Sequence, residues 1–183
     1  IETKTFFKNN KTFNLKTKKE IKAIIIVHCF GNAANFEKLA KLCKKRNIKI
    51  IEDAAESLGS IYTKGKFKNK HTGTIGELGI ISFNGNKITT AGNGGVVLTQ
   101  KRSIYKKCKY IVNQSKDDPV RFIHNSIGYN YSLSNLSASL VVAQLENLKF
   151  FLKKKREINK YYQKAVFKIP GLNILEGPRY SKN

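Results

Sequence analysis

The chain has 183 residues, 40% of them hydrophobic, which is enough for one domain with its own core. Its formal net charge of +23 suggests a nucleic-acid-binding protein, but only five of the 35 basic residues are Arg, the residue best suited to reading bases and phosphates. Asn and Ile are enriched together with Lys, and all three have A/T-rich codons. The charge therefore indicates a compositional bias and argues against a nucleic-acid partner.

Further function classes are excluded by the distribution of apolar residues and cysteines. No apolar run approaches the roughly 20 residues that a membrane span needs. The three cysteines, Cys29, Cys43 and Cys108, are odd in number and lack metal-ligand spacing, which predicts free thiols in a reducing cytoplasm and no metal site. Because the chain begins at Ile1 and contains no Met, we expect it to be a fragment or processed product of a longer protein.

The first part of the chain has the pattern of a βαβ unit. Residues 1–20 are polar and predict a loop or short edge elements. Ile21–His28 predicts a strand buried on both faces, Asn35–Arg46 has a helical period of apolar residues, and Ile48–Ile51 predicts a second buried strand. Strands joined in this way run parallel, so the predicted fold class is α/β with a mainly parallel sheet flanked by helices.

The middle of the chain alternates glycine-containing segments with short apolar runs. Residues 59–76 contain four glycines and predict a loop or hairpin. Leu78–Phe83 predicts a third strand, and Val96–Thr99 predicts a fourth after a glycine cluster at 92–95. Ser103–Val112 then predicts a helix, which completes the elements expected to surround the sheet.

The last third is predicted to be a loop followed by helix. Asn113–Tyr131 is polar and predicts a loop. Ser134–Lys168 has a helical pattern without Gly or Pro, long enough for two helices or for one long kinked helix. Ser134 or Asn135 is the predicted N-cap, because their side chains accept hydrogen bonds from free N–H groups of a first helical turn.

Two residues stand where strands end, and each has a chemical and a purely structural interpretation. Asp53 follows the second buried strand, where ligands bind in open α/β sheets, but an Asp at such a position also commonly caps the next helix. Lys87 follows the third strand in a glycine-containing turn, where its amine could form an imine with a bound cofactor. A single Lys in so Lys-rich a chain is weak evidence, so both interpretations remain open on spacing alone.

Four motifs that follow one another along the chain are together a more specific functional signal than any single residue within them. They are VHCFGN (27–32), IEDAAESLGS (51–60), ISFNGNK (81–87) and GYNY (128–131). In this order they resemble the DegT/StrS family of pyridoxal phosphate (PLP)-dependent sugar aminotransferases, over about residues 20–150. Within it they look like the branch that aminates 4-keto nucleotide sugars for legionaminic-type nonulosonic acids. The resemblance implies the type I aminotransferase fold, here an incomplete large domain.

The resemblance also implies roles for five residues. Asp53 would pair with the pyridine nitrogen of PLP, Glu56 would lie near its 3′-oxygen and Ser82 would bind its phosphate. Lys87 would form the imine with the cofactor and then move the proton. Asn130 would reach across a homodimer interface to the phosphate of the neighbouring subunit's cofactor.

The implied function is transfer of an amino group, with glutamate as donor, to a 4-keto nucleotide sugar for surface glycan biosynthesis. Residues 1–150 would be part of the PLP-binding large domain, and 151–183 a helical connection toward a C-terminal small domain. Ser132 departs from the family, which usually has Arg there, and the family's phosphate-binding turn lies upstream of Ile1. A catalytically incomplete fragment or a non-catalytic paralogue is therefore the main alternative, and a basic nucleic-acid-associated domain a weaker one.

Overall fold

A computed structural model describes all of residues 1–183 and contains a central sheet, three two-stranded sheets and four α-helices. In chain order the elements are β1 (Thr5–Lys8), β2 (Lys11–Asn14), β3 (Ala23–Val27), α1 (Glu37–Lys45), β4 (Lys49–Asp53), β5 (Ile61–Tyr62), β6 (Leu78–Ser82), β7 (Gly95–Leu98), α2 (Arg102–Val112), β8 (Lys116–Asp118), β9 (Ile123–His124), α3 (Asn135–Glu146), α4 (Leu148–Val166) and β10 (Ser181–Lys182).

The central sheet has the strand order β3-β4-β6-β7. The first three strands are parallel and β7 is antiparallel to β6, so the sheet is mixed and mainly parallel, as predicted. Val27 pairs with Asp53, and Asp53 pairs with Ile80. The carboxyl ends of β3, β4 and β6 therefore meet at one edge, which brings together the three motifs that follow these strands.

Apolar side chains on one face of the sheet form two small cores, while Ile25, Val27 and Ile80 on the opposite face are exposed. The prediction that the first strand is buried on both faces is therefore wrong. The first holds Ile26, Ala33, Phe36, Tyr62 and Phe67, with Leu39 and Ala40 of α1 packed against it. The second holds Ala54, Ile81, Phe83 and Val141, and it joins the strand ends to α3. Burial of apolar side chains of this kind contributes about 1.5–3 kcal/mol for each large one, so these contacts hold the helices on the sheet.

A buried carboxylate organises the segment that follows β4. Glu52 is fully buried and accepts hydrogen bonds from Nε2 of His28 (3.0 Å) and from the backbone N–H groups of Gly73 (2.9 Å), Ile75 (2.6 Å) and Gly76 (2.6 Å). Nδ1 of His28 accepts the N–H of Ala34 at 3.1 Å, so the ring proton is on Nε2 and points at Glu52.

These donors keep the buried Glu52 carboxyl charged. Burial acts to raise the pKa of Glu52, but the hydrogen bonds from His28 and from the three backbone N–H groups outweigh it and lower this pKa below its ordinary value. The carboxylate thereby ties the glycine-rich loop between β5 and β6 to the end of β3, directly beneath the edge of the sheet where the motifs meet.

Within residues 113–168 one prediction is wrong and two alternatives that the sequence left open are decided. Asn113–Tyr131, predicted as a polar loop, contains the hairpin formed by β8 and β9. The long helical stretch is two helices that meet at Asn147, and Oγ of Ser134 caps the first by accepting the N–H of Ser137 at 3.2 Å. No helix of the structure is long and apolar enough to cross a membrane.

The C-terminal segment is only partly helical. α4 ends at Val166, so the predicted helical connection over 151–183 is helical in its first half only. The remainder folds back, and β10 pairs with β5 in a separate two-stranded sheet, while Oη of Tyr180 donates a hydrogen bond to the carbonyl of Ala33 at 3.0 Å. Stacking of Tyr180 on Tyr62 adds to this contact.

Candidate active site

Three of the predicted site residues, Glu56, Ser82 and Lys87, line one cavity of about 430 Å³. It lies at the carboxyl edge of the central sheet, above β4 and β6. The other lining residues are Phe30, Ala55, Leu58, Asn86, Ile88 and Lys155.

The turn after β6 positions both Ser82 and Lys87. Ser82 is the last residue of the strand, and its Oγ accepts the N–H of Asn84 at 3.2 Å. The N–H of Lys87 in turn donates to the carbonyl of Asn84 at 3.0 Å, which closes the turn. Because Oγ of Ser82 acts as an acceptor here, its own proton remains available to donate to an anion.

Glu56 connects Lys87 to the segment that follows β3. One carboxylate oxygen accepts the backbone N–H of Phe30 at 2.8 Å, and the other lies 3.4 Å from Nζ of Lys87. The Phe30 N–H lowers the pKa of Glu56 most, the bond and the charge of Lys87 lower it further, and together they outweigh desolvation. The carboxylate is therefore charged at neutral pH and faces the amine.

Phe30 and Lys155 belong to the cavity, although we did not predict them as site residues. Phe30 has a left-handed backbone (φ 51°, ψ 32°), which is uncommon for a bulky residue, and its side chain is 88% exposed. Its position at the end of a predicted strand was a usable signal. Lys155 lies on α4, far away in sequence, and no local signal marks it.

Asp53 lies at the same edge of the sheet but not on the lining of this cavity. Its Oδ1 accepts the N–H of Ala55 at 3.1 Å, and its backbone pairs with Val27 and Ile80. The side chain thus supports the turn that leads to Glu56. It does not cap a helix, as the structural interpretation expected, because the next element after β4 is the strand β5. Its predicted contact with a cofactor nitrogen remains a prediction.

Asn130 borders a different cavity, of about 550 Å³, which shares no lining residue with the cavity around Lys87. It is exposed and pairs with Asn113 in an isolated bridge beside the β8–β9 hairpin. Oγ of Ser132, where the family has Arg, donates to Oδ1 of Asn113. Asn130 and Lys87 thus border separate surfaces of one chain.

Two relatives resemble this chain along most of its length. GDP-perosamine synthase of Escherichia coli O157:H7 is 38% identical over 151 residues, which are 82% of this chain and 40% of that protein. UDP-4-amino-4,6-dideoxy-N-acetyl-beta-L-altrosamine transaminase of Campylobacter jejuni serotype O:23/36 is 31% identical over 173 residues, 92% of this chain and 44% of that protein. The chain thus spans less than half the length of either relative.

The fold has solved counterparts. The structure of GDP-4-keto-6-deoxy-D-mannose-3-dehydratase of E. coli with bound hydrated PLP matches with a TM-score of 0.74 at 26% identity, covering 87% of this chain and 44% of that one. This confirms the predicted fold class, an incomplete type I aminotransferase domain. The sequence profile of the DegT/DnrJ/EryC1/StrS aminotransferase family matches residues 1–183, and the chain belongs to this family.

Proposed function

We propose that the protein to which this chain belongs uses PLP to transfer an amino group, with glutamate as donor, to the 4-keto group of a nucleotide sugar for surface glycan biosynthesis. The observation that carries this proposal is the meeting of the Lys87 amine, the Ser82 hydroxyl and the Glu56 carboxylate on one cavity. The names of the two relatives, a GDP-sugar synthase and a UDP-sugar transaminase, support the substrate class.

The residues present fit the cofactor. The side chain of Lys87 is only 17% exposed, which would protect a covalent link to its amine from water. Lys87 nevertheless lines the cavity, so its amine is in place for the cofactor. Ser82 has a hydroxyl proton free to donate to a phosphate, and Asp53 provides a carboxylate at the adjacent strand end. When bound, PLP supplies an electron-withdrawing ring that stabilises negative charge on a carbon next to nitrogen.

The residues of this chain would then perform proton chemistry. Asp53 would hold a proton on the ring nitrogen by placing a negative charge beside it. Lys87 would remove a proton from the carbon that bears the amino group and return it to the cofactor carbon on the other side of that nitrogen, acting as general base and then as general acid. Glu56, which is charged and 3.4 Å from Lys87 Nζ, would hold the amine in line for both steps.

We further propose that the protein is a cytoplasmic homodimer in which Asn130 binds the phosphate of the partner's cofactor. The separation of Asn130 from the cavity of Lys87, and its exposure, support a role outside its own chain's site. All three cysteines are free, which agrees with a reducing compartment. Long-range attraction from the net charge of +23 would favour anionic substrates.

The proposal is tested with Lys87→Ala in the full-length protein. We expect the visible absorbance of lysine-bound PLP and amino transfer to be lost together, because no other amine on this cavity takes part in the proposed chemistry. Lys68→Ala, an exposed lysine away from the cavity, is the matched control and should retain both. Retained transfer in Lys87→Ala would refute the mechanism, and cofactor binding without transfer in the wild type would identify a non-catalytic paralogue.

A further inference from the structure

We infer that Lys155 and Arg156, on α4, bind the diphosphate of the nucleotide sugar and so position its sugar ring against Lys87. This inference rests on the proposed function, because it specifies how the same site would hold its substrate. It concerns two residues that follow one another in sequence and line the wall of the site.

The first step is the continuity of the site. A second cavity, of about 650 Å³, adjoins the one that holds Lys87. The residues that line both cavities are Phe30, Glu56, Leu58, Ile88 and Lys155. A ligand can therefore run along this shared wall from Lys87 into the second cavity, where Arg156 is part of the lining.

The second step is charge. Neither Lys155 nor Arg156 forms an ion pair, whereas their neighbour Lys154 is paired with Glu157 at 3.0 Å. Nε of Arg156 donates to the backbone oxygen of Asn183, the last residue of this chain, at 2.9 Å, and the outer N–H groups of the guanidinium remain available.

Glu56 is the single acidic side chain on the two linings, and it is already engaged by Lys87 and by the N–H of Phe30. Beyond Glu56 the wall therefore carries two cations with no acidic side-chain partner. A guanidinium beside an ammonium is a favourable arrangement for phosphate oxygens, since the guanidinium can bind two of them at once.

The third step is the distance between the negative charge of each substrate and its reacting carbon, which differs between the amino-acid donor and the nucleotide sugar. The α-carboxylate of an amino-acid donor is attached to the carbon that carries the reacting amine, so it must stay within the cavity of Lys87. The diphosphate of a nucleotide sugar is separated from the keto carbon by the sugar ring. Arg156 lines only the second cavity, so a pair formed by Lys155 and Arg156 matches the more distant anion.

Calorimetry with GDP, UDP and inorganic pyrophosphate on the full-length holoenzyme tests the inference. Lys155→Met and Arg156→Gln remove one charge each, and Met closely matches the length of Lys while Gln is shorter than Arg. Lys153→Met is the control on the same helix, outside both linings. We expect affinity for GDP or UDP to fall by about tenfold in each variant, because each loses one charge-assisted contact with the diphosphate. The affinity of the control should stay unchanged.

Steady-state kinetics provides the second measurement. In Lys155→Met, KM for the nucleotide sugar should rise by about tenfold, with KM for glutamate, kcat at saturation and the cofactor absorbance unchanged. Because Lys155 is exposed, Lys155→Met is expected to fold. This variant therefore tests the inference even if Arg156→Gln does not fold. A rise in KM for glutamate alone would assign Lys155 to the donor carboxylate and overturn the inference.

The outcomes separate this inference from the proposed function. Unchanged nucleotide affinity in both variants, or no binding of GDP and UDP by the wild type, overturns the inference while amino transfer still supports the function. Nucleotide binding that depends on Lys155, in a protein that transfers no amino group, overturns the function and supports the nucleotide site.

Discussion

Glu56 and Lys87 lie side by side although 31 residues separate them in sequence, with 3.4 Å between Oε1 and Nζ. The other oxygen of Glu56 accepts the N–H of Phe30. One carboxylate therefore links the turns that follow β3, β4 and β6. Because these bonds lower the pKa of Glu56 below 4.5, the pairing with Lys87 should be complete at neutral pH and be lost only as the pH falls through that lowered value.

Mixing two inactive variants tests whether Asn130 serves the partner's site. Lys87→Ala and Asn130→Ala are each expected to have little activity as homodimers. A mixed dimer contains one intact site, formed by Lys87 of one chain and Asn130 of the other. Random reassociation at equal amounts should therefore restore about one quarter of the wild-type activity. Mixed dimers that form but remain inactive would show that Asn130 acts within its own chain or has no such role.

Asp53→Asn should lower turnover far more than it weakens cofactor binding. The Asn side chain still has an oxygen that can accept the N–H of Ala55, so the turn after β4 is expected to persist. Without the negative charge the ring nitrogen loses its proton, and kcat should fall by about a hundredfold, while the PLP dissociation constant changes by less than about threefold. Equal losses in both quantities would instead assign Asp53 a structural role.

Glu52→Gln should destabilise the fold. Each oxygen of Glu52 accepts two N–H donors, so an amide NH₂ in either orientation would face two donors with nothing to accept them. We expect the free energy of unfolding to drop by about 3 kcal/mol, measured by denaturant titration. Glu146→Gln, on the exposed end of α3, is the control and should change it by less than about 0.5 kcal/mol.

The same carboxylate predicts how stability depends on pH. The pKa of Glu52 is lowered in the folded state, so its contribution is fully present above its ordinary value of 4.5 and is lost as the pH falls below it. The melting temperature of the wild type should therefore drop as the pH falls below 4.5, and Glu52→Gln should lack this part of the drop. Parallel curves for the two proteins would contradict this account.

Ser134→Ala tests the N-cap of α3. Oγ of Ser134 accepts the backbone N–H of Ser137, and this N–H has no other partner in the first turn. Loss of the Ser134 hydroxyl should therefore lower the free energy of unfolding by about 1 kcal/mol. Ser139→Ala, within the same helix, is the control. Oγ of Ser139 only bonds back to the carbonyl of Asn135, and its removal should leave the melting temperature unchanged.

Local patterns were sufficient where a single segment decides the structure. The apolar run that became β3 and the glycine-bounded run that became β6 were predictable as strands from their apolar content and short length. Burial of the first strand on both faces was wrongly predicted, because a local apolar run does not show which layers pack on the sheet, and Ile25 and Val27 are exposed. The cap at Ser134 was also predictable, since it depends on one side chain and one turn. The hairpin within 113–131 was not, because its two strands are short and polar and pair through a register shift.

The amino-acid pattern was enough to predict a mainly parallel sheet with motifs at its strand ends, and the family resemblance implied that Glu56, Ser82 and Lys87 share one site. The strand order, the pairing of Glu56 with Lys87 and the presence of Lys155 on the same wall became visible only in the folded chain. The physical reason is that strand formation follows from local hydrophobic pattern, whereas contacts between distant side chains depend on how helices and turns pack on the finished sheet.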